Sequence, residues 1–248
     1  MVLMFLLADL FVPSAFPATE QLEEEQMVFR VTSTLNPTTD TYIDSDFPND
    51  DFSSDDTGLL GVSGSSDGRI LISFPLNYAS TDTIHSSQVN LVCSSSDASD
   101  GLAVYPATTS VSWNESATWN SRNGVFAWAQ PGVDDSSDRD GWEPFHLTAP
   151  LNLGGGSSTV ELNVTALTQV AVASSQSSLD LVISANEAQY DCELNETLNT
   201  ANRPVMIVDS STTTAGSGGQ ITPDFVSDGA PLMTGDFILS ADLTPSMT

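Results

Sequence analysis

Short apolar runs of four to six residues, separated by clusters of Ser, Asp, Gly and Asn, constrain this chain more than any other feature. Val28-Phe29-Arg30-Val31-Thr32, Thr39-Asp40-Thr41-Tyr42-Ile43, Gly58 to Val62, Arg69-Ile70-Leu71-Ile72-Ser73-Phe74, Gln88 to Cys93 and Leu102 to Tyr105 all read as strands. Trp142 to Leu147, Ser158 to Leu162, Leu179 to Ser184 and Pro204 to Val208 continue the series. Many short strands with turn signals between them, and no long helical patterns alternating with them, predict an all-β, antiparallel, jelly-roll-like β-sandwich and disfavour a parallel α/β fold. One segment departs from this pattern. Between Asn163 and Val172, apolar residues at 164, 167, 170 and 171 have helical spacing and predict one short helix capping an end of the sandwich, with Asn163 or Thr165 as its N-cap.

Charge narrows the partners. Asp and Glu number 33 against five Lys plus Arg, all five of them arginine, for a formal net charge of -28. Such a surface repels nucleic-acid phosphate and anionic head groups. Self-repulsion also costs stability unless salt screens it, over a Debye length of about 8 Å near physiological ionic strength and about 3 Å at 1 M. A marine or halophilic extracellular setting, or bound divalent cations, relieves that cost. A hydrophobic fraction of 40% still supplies a core.

The ends read differently from the middle. Met1 to Val12 is apolar except for Asp9, a length suited to a signal-peptide core and short for a membrane span; the other reading is an apolar strand or core helix. Residues 1–18 are therefore expected to be a signal peptide or N-terminal hydrophobic segment, 19–34 an acidic linker with the first strand, and 35–210 the sandwich. Ser210 to Gly219 is low in complexity, so 211–248 reads as a linker and tail: a stalk, an extra strand, or the opening of a further domain.

Several patterns occur in a fixed order. They are Asp40-Thr41-Tyr42-Ile43 followed by a Pro/Asn/Asp loop, Leu59-Leu60-Gly61-Val62, Arg69 to Phe74, and Trp113-Asn114-Glu115-Ser116-Ala117-Thr118-Trp119-Asn120. Leu162 to Leu167, Ser184 to Glu187 and Arg203 to Val208 complete the set. The order resembles the DNRLRE domain family, secreted β-sandwiches similar to carbohydrate-binding modules, over roughly residues 35 to 210. The resemblance implies a noncatalytic surface or polysaccharide-binding module and names no ligand.

Four groups of residues are candidates for chemistry. Asp44, Asp46, Asp50, Asp51, Asp55 and Asp56 crowd one loop, and calcium accepts six to eight oxygens in irregular geometry; the other reading is a solvated acidic loop. A second cluster, Asp134 to Asp140, contains Arg139, which is expected to pair with a carboxylate. Among aromatics, Trp113, Trp119 and Trp142 are expected to pack, which leaves Trp128, and next Tyr105, as exposed faces for sugar rings. Cys93 and Cys192 are either a disulfide, contributing roughly 4–5 kcal/mol in the chain-entropy model, or two buried thiols. They form no CxxC pair that would suggest zinc.

Catalytic signals are weak. Glu115 and Glu187 are conceivable as a glycosidase pair, but among 33 acids some pair meets the required separation by chance. His85 and His146 lack a nucleophile motif, and Gly154-Gly155-Gly156 has no Lys to make a phosphate loop. Asn114, Asn163 and Asn195 head N-x-[ST] sequons, compatible with export. The sequence therefore leads to a secreted or cell-surface module for adhesion or polysaccharide binding, stabilised by calcium and linked to neighbouring surface domains. The alternatives are a structural subunit of a matrix, wall or filament, and an accessory fragment of a polysaccharide-degrading enzyme.

Overall fold

The computed structural model describes residues 27–63, 66–97, 101–108, 111–139, 144, 146–148, 153, 156–185 and 188–214. The expected signal segment, the tail beyond 214, and Trp142, Asp140 and Glu187 lie outside them. Among the described residues, eleven strands and one short α-helix make an all-β sandwich.

The first sheet is built on β5 (Thr83–Asp97). One edge of β5 is shared by β11 (Val205–Thr214) along its first half and by β10 (Gln189–Glu193) along its second. The other edge takes β8 (Ser157–Asn163). Outside β11 lies β1 (Met27–Leu35), and outside β10 lies β3 (Thr57–Ser63). The second sheet is built on β4 (Ser66–Pro75), flanked by β2 (Thr39–Asp44) and β9 (Ser178–Ala185), and continues through β6 (Leu102–Pro106) to β7 (His146–Leu147).

β3 belongs to both sheets. Its first residues pair with β10 and its last with β4, and the change falls at Gly61, whose φ is +82°. A Cβ there would stand 1.9 Å from the Ala188 carbonyl oxygen, so only glycine lets the strand cross over.

Side-chain alternation then sorts the apolar residues. Ile70, Ile72 and Phe74 of β4 point between the sheets and meet Leu91, Leu162 and Tyr190, all fully buried. Burying a side chain such as Phe74 stabilises the fold by about 1.5–3 kcal/mol. Leu71 points to the opposite face, into a second core with Tyr105, Trp128, Val133 and Val182. The second sheet is thus buried on both faces, which explains why β4 reads as a nearly unbroken apolar run.

The helix α1 (Thr165–Ala173) packs Leu167, Ala171 and Val172 into the main core and touches β5 of one sheet and β9 of the other. Its N-cap is Val164, one residue from either expected position, because Asn163 accepts the Thr165 N–H (3.0 Å) while Thr165 is turned to Ser87. Two further expectations need correction. β10 was not read from the sequence, and Ser210 to Thr214 are strand rather than linker, held by register with Met27 to Val31.

Cys93 and Cys192 stand opposite each other across β5 and β10, with Cα atoms 4.0 Å apart, and are joined as a disulfide. No described helix is long and apolar enough to cross a membrane.

Candidate functional site

The described residues 107–108 and 111–139 form no long strand and cover the outer face of the second sheet. Their attachment uses the few cations of the chain. Arg69, on β4, donates to the Gly132 carbonyl and bridges Asp67 (2.8 Å) and Asp134 (3.2 Å), with its guanidinium 5.0 Å over the Trp119 ring. Arg139 pairs with Asp134 (3.0 Å), as expected of the second acidic cluster, and lies 3.9 Å over Tyr105. Asp138, 3% exposed, accepts the N–H groups of Ala129 and Gln130 at 3.1 Å each.

This arrangement corrects the expected sugar-stacking residues. Trp128 is 5% exposed and donates its indole N–H to the Thr118 carbonyl (2.9 Å); Tyr105 is 9% exposed, beneath Arg139. Both belong to the second core, so neither ring has a face to offer. Trp113 and Trp119 pack against the same core, as expected. The exposed aromatic of that stretch is Phe126, on the second arm of a small hairpin closed by Ser121 and Ala127.

The expected calcium loop is likewise rearranged. Its six carboxylates do not come together, and among the described residues no three His, Cys, Asp or Glu side chains stand close enough to hold a metal ion. Each carboxylate is used locally or faces water. Asp44 accepts the Asp46 N–H (2.8 Å) and the Ser66 hydroxyl, and Asp55 accepts the Tyr42 hydroxyl (3.3 Å). Burial opposes ionisation of Asp51, but the Ser53 N–H and hydroxyl and the Ser116 hydroxyl outweigh it and lower its pKa. Asp46, Asp50 and Asp56 are exposed.

What the loop does assemble is an aromatic platform. Tyr42 and Phe52 stack with centroids 4.2 Å apart, and Phe47 meets Phe52 edge-on at 6.4 Å. Phe47 is 54% exposed. Burial, followed by the charge and hydrogen bond of Asp55, pushes the Tyr42 phenol up, so it stays a neutral donor. The loop is braced by the 113–120 segment: Asn120 donates its N–H to the Pro48 carbonyl (3.0 Å) and its amide to Asn49 (2.9 Å). Sequence reading weighed the aspartates of this loop and passed over Phe47 and Phe52, although bulky aromatics flanking Pro48 in an otherwise polar loop were the available signal.

Alongside lies an open depression of about 350 Å³ lined by Thr39, Asn114, Glu115 and Ser116. Near it three carboxylates converge electrostatically. Asp40, 1% exposed, is pushed up to about 7 by burial and by Glu196 and Glu115, against the opposing effects of the Asn195 N–H (2.9 Å) and Arg203. Glu196 is raised by burial and by Glu115 and Asp56.

Aromatic rings on a loop braced against the sandwich offer apolar faces suited to the C–H faces of sugar rings. In agreement, residues 31–130 match the family model described as Carbohydrate-binding module family 96, a similarity that spans both the platform and the segment bracing it. No curated protein matches the chain.

Proposed function

We propose that this chain is a noncatalytic, secreted or cell-surface module that binds a polysaccharide on the Tyr42–Phe52–Phe47 platform. The platform carries the reading, because its Phe47 ring is exposed, with Phe52 and Tyr42 half-buried behind it, within the segment that matches a carbohydrate-binding family. Sugar rings present C–H faces that stack on aromatic rings, and such contacts are worth about 0.5–1.5 kcal/mol per ring beyond the area they bury. The exposed Asp46, Asp50 and Asp51 accept hydrogen bonds from sugar hydroxyls. A net charge of -28 favours neutral over acidic polysaccharides.

Retention on immobilised neutral glycans tests this reading. Phe47→Ala and Phe52→Ala should each weaken binding by about three- to tenfold, corresponding to the loss of one ring contact. Retention unchanged in both variants, or no retention of the parent by any glycan, overturns the proposal. Turnover of the same glycans would overturn its noncatalytic part.

A structural subunit remains the second reading on one observation: β1 pairs with β11 alone among the described strands, and exposes Val28 (56%) and Val31 (55%) beside its other edge. Concentration-dependent sedimentation that Val31→Lys abolishes would favour it.

A further inference from the structure

The large apolar side chains left in water among the described residues are not scattered evenly. Val28, Phe29 and Val31 share β1, and Val170 and Leu198 stand apart, but Phe47, Val125 (79% exposed) and Phe126 (57%) come from two segments bonded to each other. Asn120 makes the junction. Its N–H reaches the Pro48 carbonyl (3.0 Å), its amide reaches Asn49 (2.9 Å), and its carbonyl accepts the Trp128 N–H (3.3 Å). Phe47 precedes Pro48 by one residue, and Phe126 precedes Trp128 by two. The tip carrying Val125 and Phe126 is held in shape by its own hydrogen bonds. Asn123 Oδ1 accepts the N–H groups of Val125 (3.2 Å) and Phe126 (2.8 Å), Ser121 Oγ accepts that of Gly124 (3.0 Å), and Arg122 donates its N–H to the Phe126 carbonyl (2.8 Å). Apolar side chains grouped in an ordered, polar-rimmed surface mark an interaction site, whereas single exposed ones carry no such meaning. Arg122 adds a second signal. Among the described residues Arg30, Arg69 and Arg139 each pair with an aspartate, whereas Arg122 pairs with none and lies 5.4 Å over the Phe126 ring.

We propose that the Val125–Phe126 tip is a second sugar subsite, joined to the Phe47 platform across Asn120, so that the module holds several consecutive rings of one polysaccharide chain. This inference rests on the sugar reading of the platform and extends it from a single contact to an extended polymer. Both aromatic positions fall within the matched residues 31–130, which favours a sugar over a protein as the occupant. Phe126 supplies a ring for sugar C–H groups, and the Arg122 guanidinium beside it supplies donors for hydroxyls. Two modest contacts made by one chain act intramolecularly, so affinity climbs with chain length once the chain spans both. A single ring or a disaccharide occupies only the larger, three-ring platform.

The test is calorimetry of the full chain with cello-, manno- and xylo-oligosaccharides, from disaccharide to octasaccharide. Expected is an affinity that rises with length. Phe126→Ala should bind the octasaccharide about three- to tenfold more weakly than the parent and the disaccharide equally well, whereas Phe47→Ala should weaken both. Phe126→Trp, which keeps an aromatic face, should retain the parent's affinity. Because Phe126 is exposed, Phe126→Ala should melt within about 2 °C of the parent, which separates a lost contact from a lost fold. Octasaccharide affinity reduced by Phe47→Ala but not by Phe126→Ala overturns the subsite and leaves the platform standing; a tip that docks a protein instead gives this result. Octasaccharide affinity unchanged in both variants, or a parent that binds none of the three series, overturns the platform as well. Equal losses in Phe126→Trp and Phe126→Ala overturn stacking at the tip.

Discussion

The loop from Asp44 to Asp56 and the Asp40–Glu115–Glu196 group are both acidic, yet they are opposites. The loop concentrates six aspartates in sequence and disperses them in space, each capping a local N–H, accepting a hydroxyl or facing water. The group draws its members from three distant parts of the chain and leaves two oxygens with no donor at all. Aspartates close together in sequence readily find their own turn N–H groups, because that is the geometry of an Asx turn. In the second group Asp40 finds the Asn195 N–H and Glu196 its own, yet each keeps one oxygen without a donor. The aromatics show the same contrast: Trp128, in an apolar run beside polar loops, is core, while Phe47, in an acidic loop, is surface.

The largest test of this contrast is Trp128→Ala. If the ring is core, stability should fall by about 3–5 kcal/mol in denaturant unfolding, while glycan affinity per folded molecule stays unchanged. Lost affinity with intact stability would return Trp128 to the surface.

Next is the pH dependence of Asp40. Its proton affinity is raised in the fold to about 7, by burial first and then by Glu196 and Glu115, against the Asn195 N–H and Arg203. The native state therefore holds a proton that the unfolded chain releases near pH 4. The stability this proton confers is present below pH 4 and lost as pH rises through 7. Asp40→Asn should be more stable than the parent at pH 8, by about 2–4 kcal/mol, with the advantage gone by pH 4. Equal stabilities at both pH values would mean that burial does not raise the Asp40 proton affinity. The smallest expected effect is Asp50→Asn, within about 0.5 kcal/mol in either direction, because the carboxylate is exposed. A larger loss would mean that the loop aspartates act together after all.

Much of the fold was legible because strands buried on both faces read as short continuous apolar runs. β4, β6 and β9 lie where their apolar runs fall, and α1 begins within two residues of its helical spacing. β10 escaped because three of its five residues, Gln189, Asp191 and Glu193, are polar, leaving only Tyr190 and Cys192 to mark the buried face. The end of β11 escaped because Ser210 to Thr214 is a strand only by virtue of its partner β1.

The site divides along the same line. Local pattern by itself determined the sandwich class, the capping helix, the acidic surface and the pairing of Arg139, since each depends on neighbours a few residues away or on composition. Tertiary structure decided that Trp128 and Tyr105 are covered, that Phe47 and Phe52 are placed beside Tyr42, and that Asp40 is buried within electrostatic reach of Glu196. Burial and convergence are set by which strands become neighbours, and residues 107–139 become core only by folding over a sheet whose strands come from both ends of the chain.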